Sequence, residues 1–309
     1  MQIASEAPVT YRTTSQQPRA WSMIATAWQE AWSRRRLIRY LAGADIKKKG
    51  TDTVLGNVWW VLDPLISMAI YTFVMTVIFQ RSIPDFPLYL MAAMVPFKWF
   101  TQTIADSVGT VVKGERLIKK IAFPKIVLPI AGSVSEVLSF IFGMILLIPL
   151  SMFFSHGHHL SLLVLWIPVI AVVQYVFTLG ISIGVSAFTV FYRDVGIIIS
   201  HLLRLLFFLS PVLWSLDSTA GRGADIRKAL GDTGYAIISL NPIAILLTQY
   251  RHVIYGTVVV KPNGKALVWA PPQPPDLYAL LFLLIMGFML LAFGTWVFKR
   301  LEPAFSKVL

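Results

Sequence analysis

The sequence predicts an all-α polytopic membrane protein with six transmembrane helices, an N-terminal interfacial helix, and outer re-entrant helices between spans five and six. Three observations carry this prediction. Six apolar stretches, residues 58–79, 88–112, 126–154, 160–191, 195–216 and 277–298, are each long enough to cross a bilayer, whose core takes roughly 20 helical residues. The composition is 56% hydrophobic and 14% charged, against about 45–50% and about 25% in soluble domains. Lys and Arg gather at one set of span ends, and that side stays in the cytoplasm. Lipid offers backbone groups no hydrogen-bond partner, so the stretches must be helical.

Charge orients the chain. Nine Lys and Arg residues precede the first span. Lys113, Arg116, Lys119, Lys120 and Lys125 connect spans two and three, Arg193 lies between spans four and five, and Lys299, Arg300 and Lys307 follow span six. The short connections on the other side, 80–87 and 155–159, contribute only Arg81. Both termini are therefore expected in the cytoplasm. The net charge of +12 follows from this topology and does not call for a nucleic-acid partner.

Composition excludes several chemistries. There is no Cys, so disulfides and thiolate chemistry are out. A G-x-x-x-x-G-K-[ST] phosphate loop and an H-E-x-x-H helix are both missing. No catalytic residue, cofactor or metal is expected, and ATP hydrolysis falls to a partner chain. His156, His158 and His159 read as a solvated turn, because no Cys or carboxylate ligand lies beside them.

In chain order, residues 1–20 are a polar tail rich in Ser, Thr, Gln and Pro, expected to be disordered. Residues 21–53 form an amphipathic interfacial helix and linker. Trp21, Ile24, Trp28 and Trp32 recur at helical spacing, followed by Arg34, Arg35, Arg36 and Arg39, which suits a helix lying among anionic headgroups. Residues 54–309 form the transmembrane domain. Within it, 114–124 places Leu117, Ile118 and Ile121 in an apolar stripe beside Arg116, Lys119 and Lys120. This predicts a short amphipathic helix ended by Pro124, suited to a groove on another protein.

The connection 217–276 is polar over 217–234, apolar over 235–255, and loop-like over 258–275. A seventh span at 235–255 would carry Lys299, Arg300 and Lys307 to the outside, against the charge pattern. A re-entrant pair of helices over 235–256, broken at Asn241-Pro242, keeps them inside.

Five ionisable residues lie inside the spans: Asp63, Lys98, Asp106, Glu136 and Arg204. Asp63 precedes Pro64 and reads as a kink or interface residue. Arg204 sits near mid-membrane, with His201 and Phe208 on its face. Two readings stay open. Arg204, His201 and Lys98 form a cationic station for a phosphate group, or Arg204 pairs with Glu136 across helices.

Six segments resemble polysaccharide-export ABC permeases, which export O-antigen, capsule, teichoic acid and galactan. They are Leu55-Gly56-x-x-Trp59-x-x-x-x-Pro64-Leu65, Val95-Pro96-Phe97-x-Trp99-Phe100, Leu117-Ile118-Lys119-Lys120-x-x-Phe123-Pro124, Phe191-Tyr192-Arg193-Asp194-Val195, Phe208-Leu209-Ser210-Pro211-Val212 and Leu240-Asn241-Pro242. They occur in family order between Leu55 and Pro242. Lys98 departs from the pattern, which often carries a neutral residue there.

The resemblance implies the membrane subunit of an ATP-driven exporter in the bacterial inner membrane. It implies a homodimer of this chain joined to two ATP-binding-cassette ATPase subunits. Glu115, Arg116, Leu117, Ile118, Lys119, Lys120, Phe123 and Pro124 would form the ATPase-coupling segment, and Asn241 and Pro242 the outer gate. The substrate would be a glycan on a polyprenyl diphosphate lipid. A drug or small-lipid exporter of the same fold is the nearest alternative. A polyprenyl-phosphate glycosyltransferase would need a catalytic acidic cluster, and the outer connection holds only scattered Asp217, Asp225, Asp232 and Asp276.

Overall fold

A computed structural model describes residues 19–51, 55–80, 83–154, 161–214, 222–260 and 267–308. The polar tail and the His156–His159 turn fall almost wholly outside these residues. Two helices, α1 (Ala20–Ser33) and α2 (Arg35–Gly50), meet at Arg34. Next come α3 (Trp59–Phe73), which continues as a π-turn over Val74–Ile78, α4 (Phe86–Lys113) and α5 (Glu115–Lys120). The chain then forms α6 (Val127–Phe154), α7 (Ile167–Phe191), α8 (Asp194–Leu209), α9 (Arg222–Ser239) and α10 (Pro242–Ile254). A hairpin of β1 (Thr257–Val260) and β2 (Leu267–Ala270) precedes the long α11 (Leu277–Val308).

Among the described residues, four helical stretches are long and apolar enough to cross a membrane: Trp59–Ile78, Val127–Met152, Leu162–Phe191 and Leu277–Phe305. The other two expected spans differ in character. α4 has 28 residues, about 42 Å of helix, but it carries Lys98 and Asp106. α8 has only 16 residues, about 24 Å. It stops at Leu209 because Ser210 is extended before Pro211, and not at 216 as the apolar run suggests.

α4 packs against α3, α6, α7, α8 and α10, and α7 packs against α11. The α7–α11 approach is close enough that a Cβ on Gly294 would overlap the Gly180 carbonyl oxygen, the small-residue contact that brings helix backbones together in membranes. Outward faces are apolar: Ile66, Ile70 and Phe73 on α3, Val77 in the π-turn that continues it, and Leu281, Ile285 and Phe288 on α11 are all exposed. Lipid would cover these faces.

Local details correct several expectations. The amphipathic helix of 114–124 spans only Glu115–Lys120, because Ile121 is already extended and Phe123 must be extended before Pro124. The Trp face of α1 is split. Trp21 and Trp32 are exposed, while Trp28 packs on an apolar cluster that includes Ala27 and Ala31. The stretch 258–275 is not all loop: β1 and β2 pair antiparallel, with Val258 opposite Trp269. The break at Asn241-Pro242 is where the sequence places it. The Asn241 side chain accepts from the Ile243 N–H at 3.0 Å and caps α10, with Pro242 at its first position.

Candidate functional site

A cleft of about 400 Å³ opens between α2, α3, α4 and α6. Helical spacing assembles its walls. Met94, Lys98 and Gln102 follow at four-residue steps on α4, while Glu136, Ser139, Phe140 and Gly143 share one face of α6. α3 adds Trp59, Trp60, Asp63 and Pro64, and α2 contributes Lys49 from its last turn. Trp99 stacks on Phe140 with ring centres 4.3 Å apart.

Ion pairs line this aromatic cleft. Lys49 pairs with Glu136, and lies 3.2 Å from Asp106 and 3.4 Å from Asp45. Gln102 donates to Asp106 at 3.1 Å, and Ser135 donates to Asp45 at 2.6 Å. Burial works against the Lys49 charge, but the Glu136 hydrogen bond and the three carboxylates outweigh it, so the ammonium is held well above its ordinary range. Glu136 is 2% exposed, so Lys49 is the cation that makes a carboxylate tolerable there. Lys98 pairs with Asp63 across the cleft. The arrangement offers ring faces beside ionised groups.

The expected cationic set is distributed over two places. Lys98 lines the cleft, whereas His201, Arg204 and Phe208 are exposed on α8. α8 packs on the helix that carries Lys98, where Phe97 meets Phe207 edge-on. The alternative pairing of Arg204 with Glu136 is overturned: Glu136 faces α2 and takes Lys49 instead. Lys49 was not legible as a site residue, since its partners lie up to 87 residues away.

On α5, Ile118 packs on the cluster with Ala27 and Ala31, and Leu117 is half-buried. Arg116, Lys119 and Lys120 are exposed. Glu115 and Lys119 form a pair at 2.5 Å, and this hydrogen bond holds the Glu115 carboxyl below its usual range.

At the opposite end, Asn241 also donates to Ser210 Oγ at 3.1 Å, which ties two of the sequence motifs together. Arg251, 5% exposed, donates to the carbonyls of Val212 at 2.6 Å and Trp214 at 2.9 Å. Its guanidinium lies 3.9 Å from the centre of the Tyr89 ring. Arg251 thus fastens the segment after α8 to α10 and to the start of α4.

No protein-family model matches the chain. Among curated proteins it is similar to the O-antigen export system permease protein RfbA of Klebsiella pneumoniae, 27% identical over 274 residues, 88% of this chain and 95% of that protein. The protein of that name from Myxococcus xanthus is 29% identical over 227 residues, 74% and 83% of the two chains. A second Klebsiella pneumoniae RfbA is 26% identical over 274 residues, again 88% and 95%. These relatives bear out the resemblance to polysaccharide-export permeases that the six motifs carry.

Proposed function

We propose that this chain is the membrane-spanning subunit of an ATP-driven exporter. Its cargo would be a glycan or related cell-envelope polymer carried on a polyprenyl diphosphate, moved from the cytoplasm to the outer face of the plasma membrane. The similarity to O-antigen export permeases over most of the chain carries this reading. Two copies of the chain would join two ATP-binding-cassette ATPases. Six spans would cross the inner membrane, α8 and α4 among them, with both termini in the cytoplasm and α9–α10 re-entering from outside.

Physical features support each part. A mid-membrane Arg does not face lipid, so the exposed His201, Arg204 and Phe208 fit a protein or water-lined surface created by a second copy. α8, with no buried residue of its own, would lie along the pathway. The cleft pairs Trp59, Trp60 and Trp99 with Lys49 and Lys98. Aromatic faces suit sugar rings; Lys49 and Lys98 are already paired with carboxylates, so the exposed Arg204 is the cation that suits a diphosphate. α5 places apolar and basic groups side by side for a groove on the ATPase.

Depletion of the chain in cells tests this function. The expected result is loss of surface polysaccharide with lipid-linked glycan accumulating inside. Unchanged surface glycan after depletion would reject it. The nearest alternative, a small-lipid exporter, predicts unchanged glycan and an altered lipid composition of the outer leaflet.

A further inference from the structure

The apolar interior falls into two clusters. The smaller one gathers Ile118 of α5, Ile126 of the α5–α6 turn, Phe305 of α11, and Ala27 and Ala31 of α1. A chain of polar contacts runs across the same elements. Glu302 Oε1 accepts from the Lys125 backbone N–H at 2.8 Å, in the turn that leads from α5 into α6. The Lys125 ammonium returns to the Glu302 carbonyl at 3.3 Å and lies 5.9 Å from the centre of the Phe305 ring. Glu302 Oε2 meets Lys299 at 3.0 Å, and Lys299 meets Glu30 of α1 at 2.5 Å.

Three elements far apart in sequence are therefore joined by one chain of charges, with Glu302 meeting the turn after α5 and Lys299 meeting α1. The side chains of Lys299 and Glu302 are only 15% and 13% exposed, so solvent screens these bonds far less than it screens surface pairs. α5 is six residues long with no buried side chain, too slight to impose a displacement by itself. Its exit turn is held by a backbone N–H to a carboxylate, a charge-assisted bond with defined direction.

We propose that Glu302 is a positioning residue that fastens the turn after α5 to α11 and, through Lys299, to α1. A displacement of α5 then moves the N-terminal interfacial helix with it. The inference rests on the reading of α5 as the place where an ATPase docks. Energetic coupling between separated sites travels through contiguous packed and hydrogen-bonded elements. Here the small apolar cluster supplies stiffness, and the Lys125–Glu302–Lys299–Glu30 chain fixes the relative placement of its members.

The test uses the full complex with its ATPase. The chain has no Cys, so spin labels can be placed at Gln29→Cys on α1 and Ala122→Cys in the turn after α5, both exposed. With Glu302 present, the distance between these labels stays constant between the nucleotide-free and ATP-bound states. Glu302→Ala lets it change, and glycan exported per ATP falls about tenfold, within the usual range of coupling energies. ATP hydrolysis and ATPase co-purification persist. Glu302→Gln keeps the acceptor for the Lys125 N–H and gives an intermediate loss.

Glu30→Ala cuts only the α1 link. It gives the same change in distance, and it carries the test if Glu302→Ala does not accumulate. Parental distances and parental export per ATP in Glu302→Ala or Glu30→Ala would overturn the proposal while leaving the transporter reading intact. An unsubstituted chain that binds no ATPase would overturn both.

Discussion

The two ends of the helical bundle are held together by different chemistry. At the Lys- and Arg-rich end, charged side chains from separate helices meet one another: Lys49 with Glu136 and Asp106, Lys299 with Glu30 and Glu302. At the far end, α10 buries most of its length, and Arg251 bonds to backbone carbonyls of the segment after α8. The more exposed side-chain pairs, such as Lys98 with Asp63 and Lys49 with Asp45, can exchange partners at little cost when helices shift. A guanidinium bonded to fixed carbonyls cannot, because each carbonyl it leaves is stranded. Under the proposed function, the charge-rich end would follow the ATPase and the far end would stay closed until it is driven open.

Substitutions at both ends and a labelling experiment would break or sharpen that contrast. Arg251→Ala should have the largest effect. It strands the Val212 and Trp214 carbonyls and removes the cation over Tyr89, a loss of about 3–5 kcal/mol. Thermal unfolding in detergent should show it, and Arg251→Lys should recover only part, since Lys lacks the planar fork. At the charged end, Lys49→Ala leaves Glu136 without its cation and should cost about 2 kcal/mol, reduced by the partial exposure of Lys49. Adding Glu136→Ala should restore most of that stability. Were Arg251→Ala milder than Lys49→Ala, the contrast between the two ends would be wrong.

Arg116→Glu with Leu117→Asp should leave the folded protein nearly as abundant, since neither side chain belongs to an apolar cluster, while removing interface anchors of about 2 kcal/mol each. ATP hydrolysis would then run without export. Normal export by this double variant would dismiss α5 as the docking segment. Arg204→Ala should reduce export several-fold at unchanged protein level, and Arg204→Lys should restore it partly, on the premise that an unburied cation at mid-membrane serves the pathway. A fall in folded protein would instead make Arg204 structural. The smallest perturbation concerns sidedness. Lys228→Cys should react with an impermeant thiol reagent from outside, and Lys307→Cys should not. Outside labelling at Lys307→Cys would mean an odd number of crossings.

Much of the scaffold was legible in the sequence because its signals are local. Asn241-Pro242 is a cap followed by a first-turn proline, and the helix break stands there. Span length and hydropathy located α3, α6, α7 and α11. Ser210-Pro211 carried the signal that ends α8 early, but the apolar run continuing to Leu216 masked it. The hairpin was missed although Val-rich and Trp-bearing runs flank Pro262-Asn263-Gly264, because four-residue strands give little alternation to read. Site residues were harder to find, for a different reason. Lys49, at the end of a Lys triplet, looks like a solvated linker residue until α2 is laid against α6. Arg251 finds its carbonyls 37 and 39 residues away in sequence, and no spacing rule connects them.

The most direct test of the central claim is transport itself. The chain and its partner ATPase are reconstituted in vesicles with a fluorescent polyprenyl-diphosphate glycan, and the fraction of glycan protected from an external glycosidase is followed after ATP is added. The account predicts ATP-dependent movement of the glycan across the bilayer, abolished by Arg116→Glu with Leu117→Asp although ATP hydrolysis continues. Glycan that stays on its original side while ATP is hydrolysed by the unsubstituted complex would contradict it.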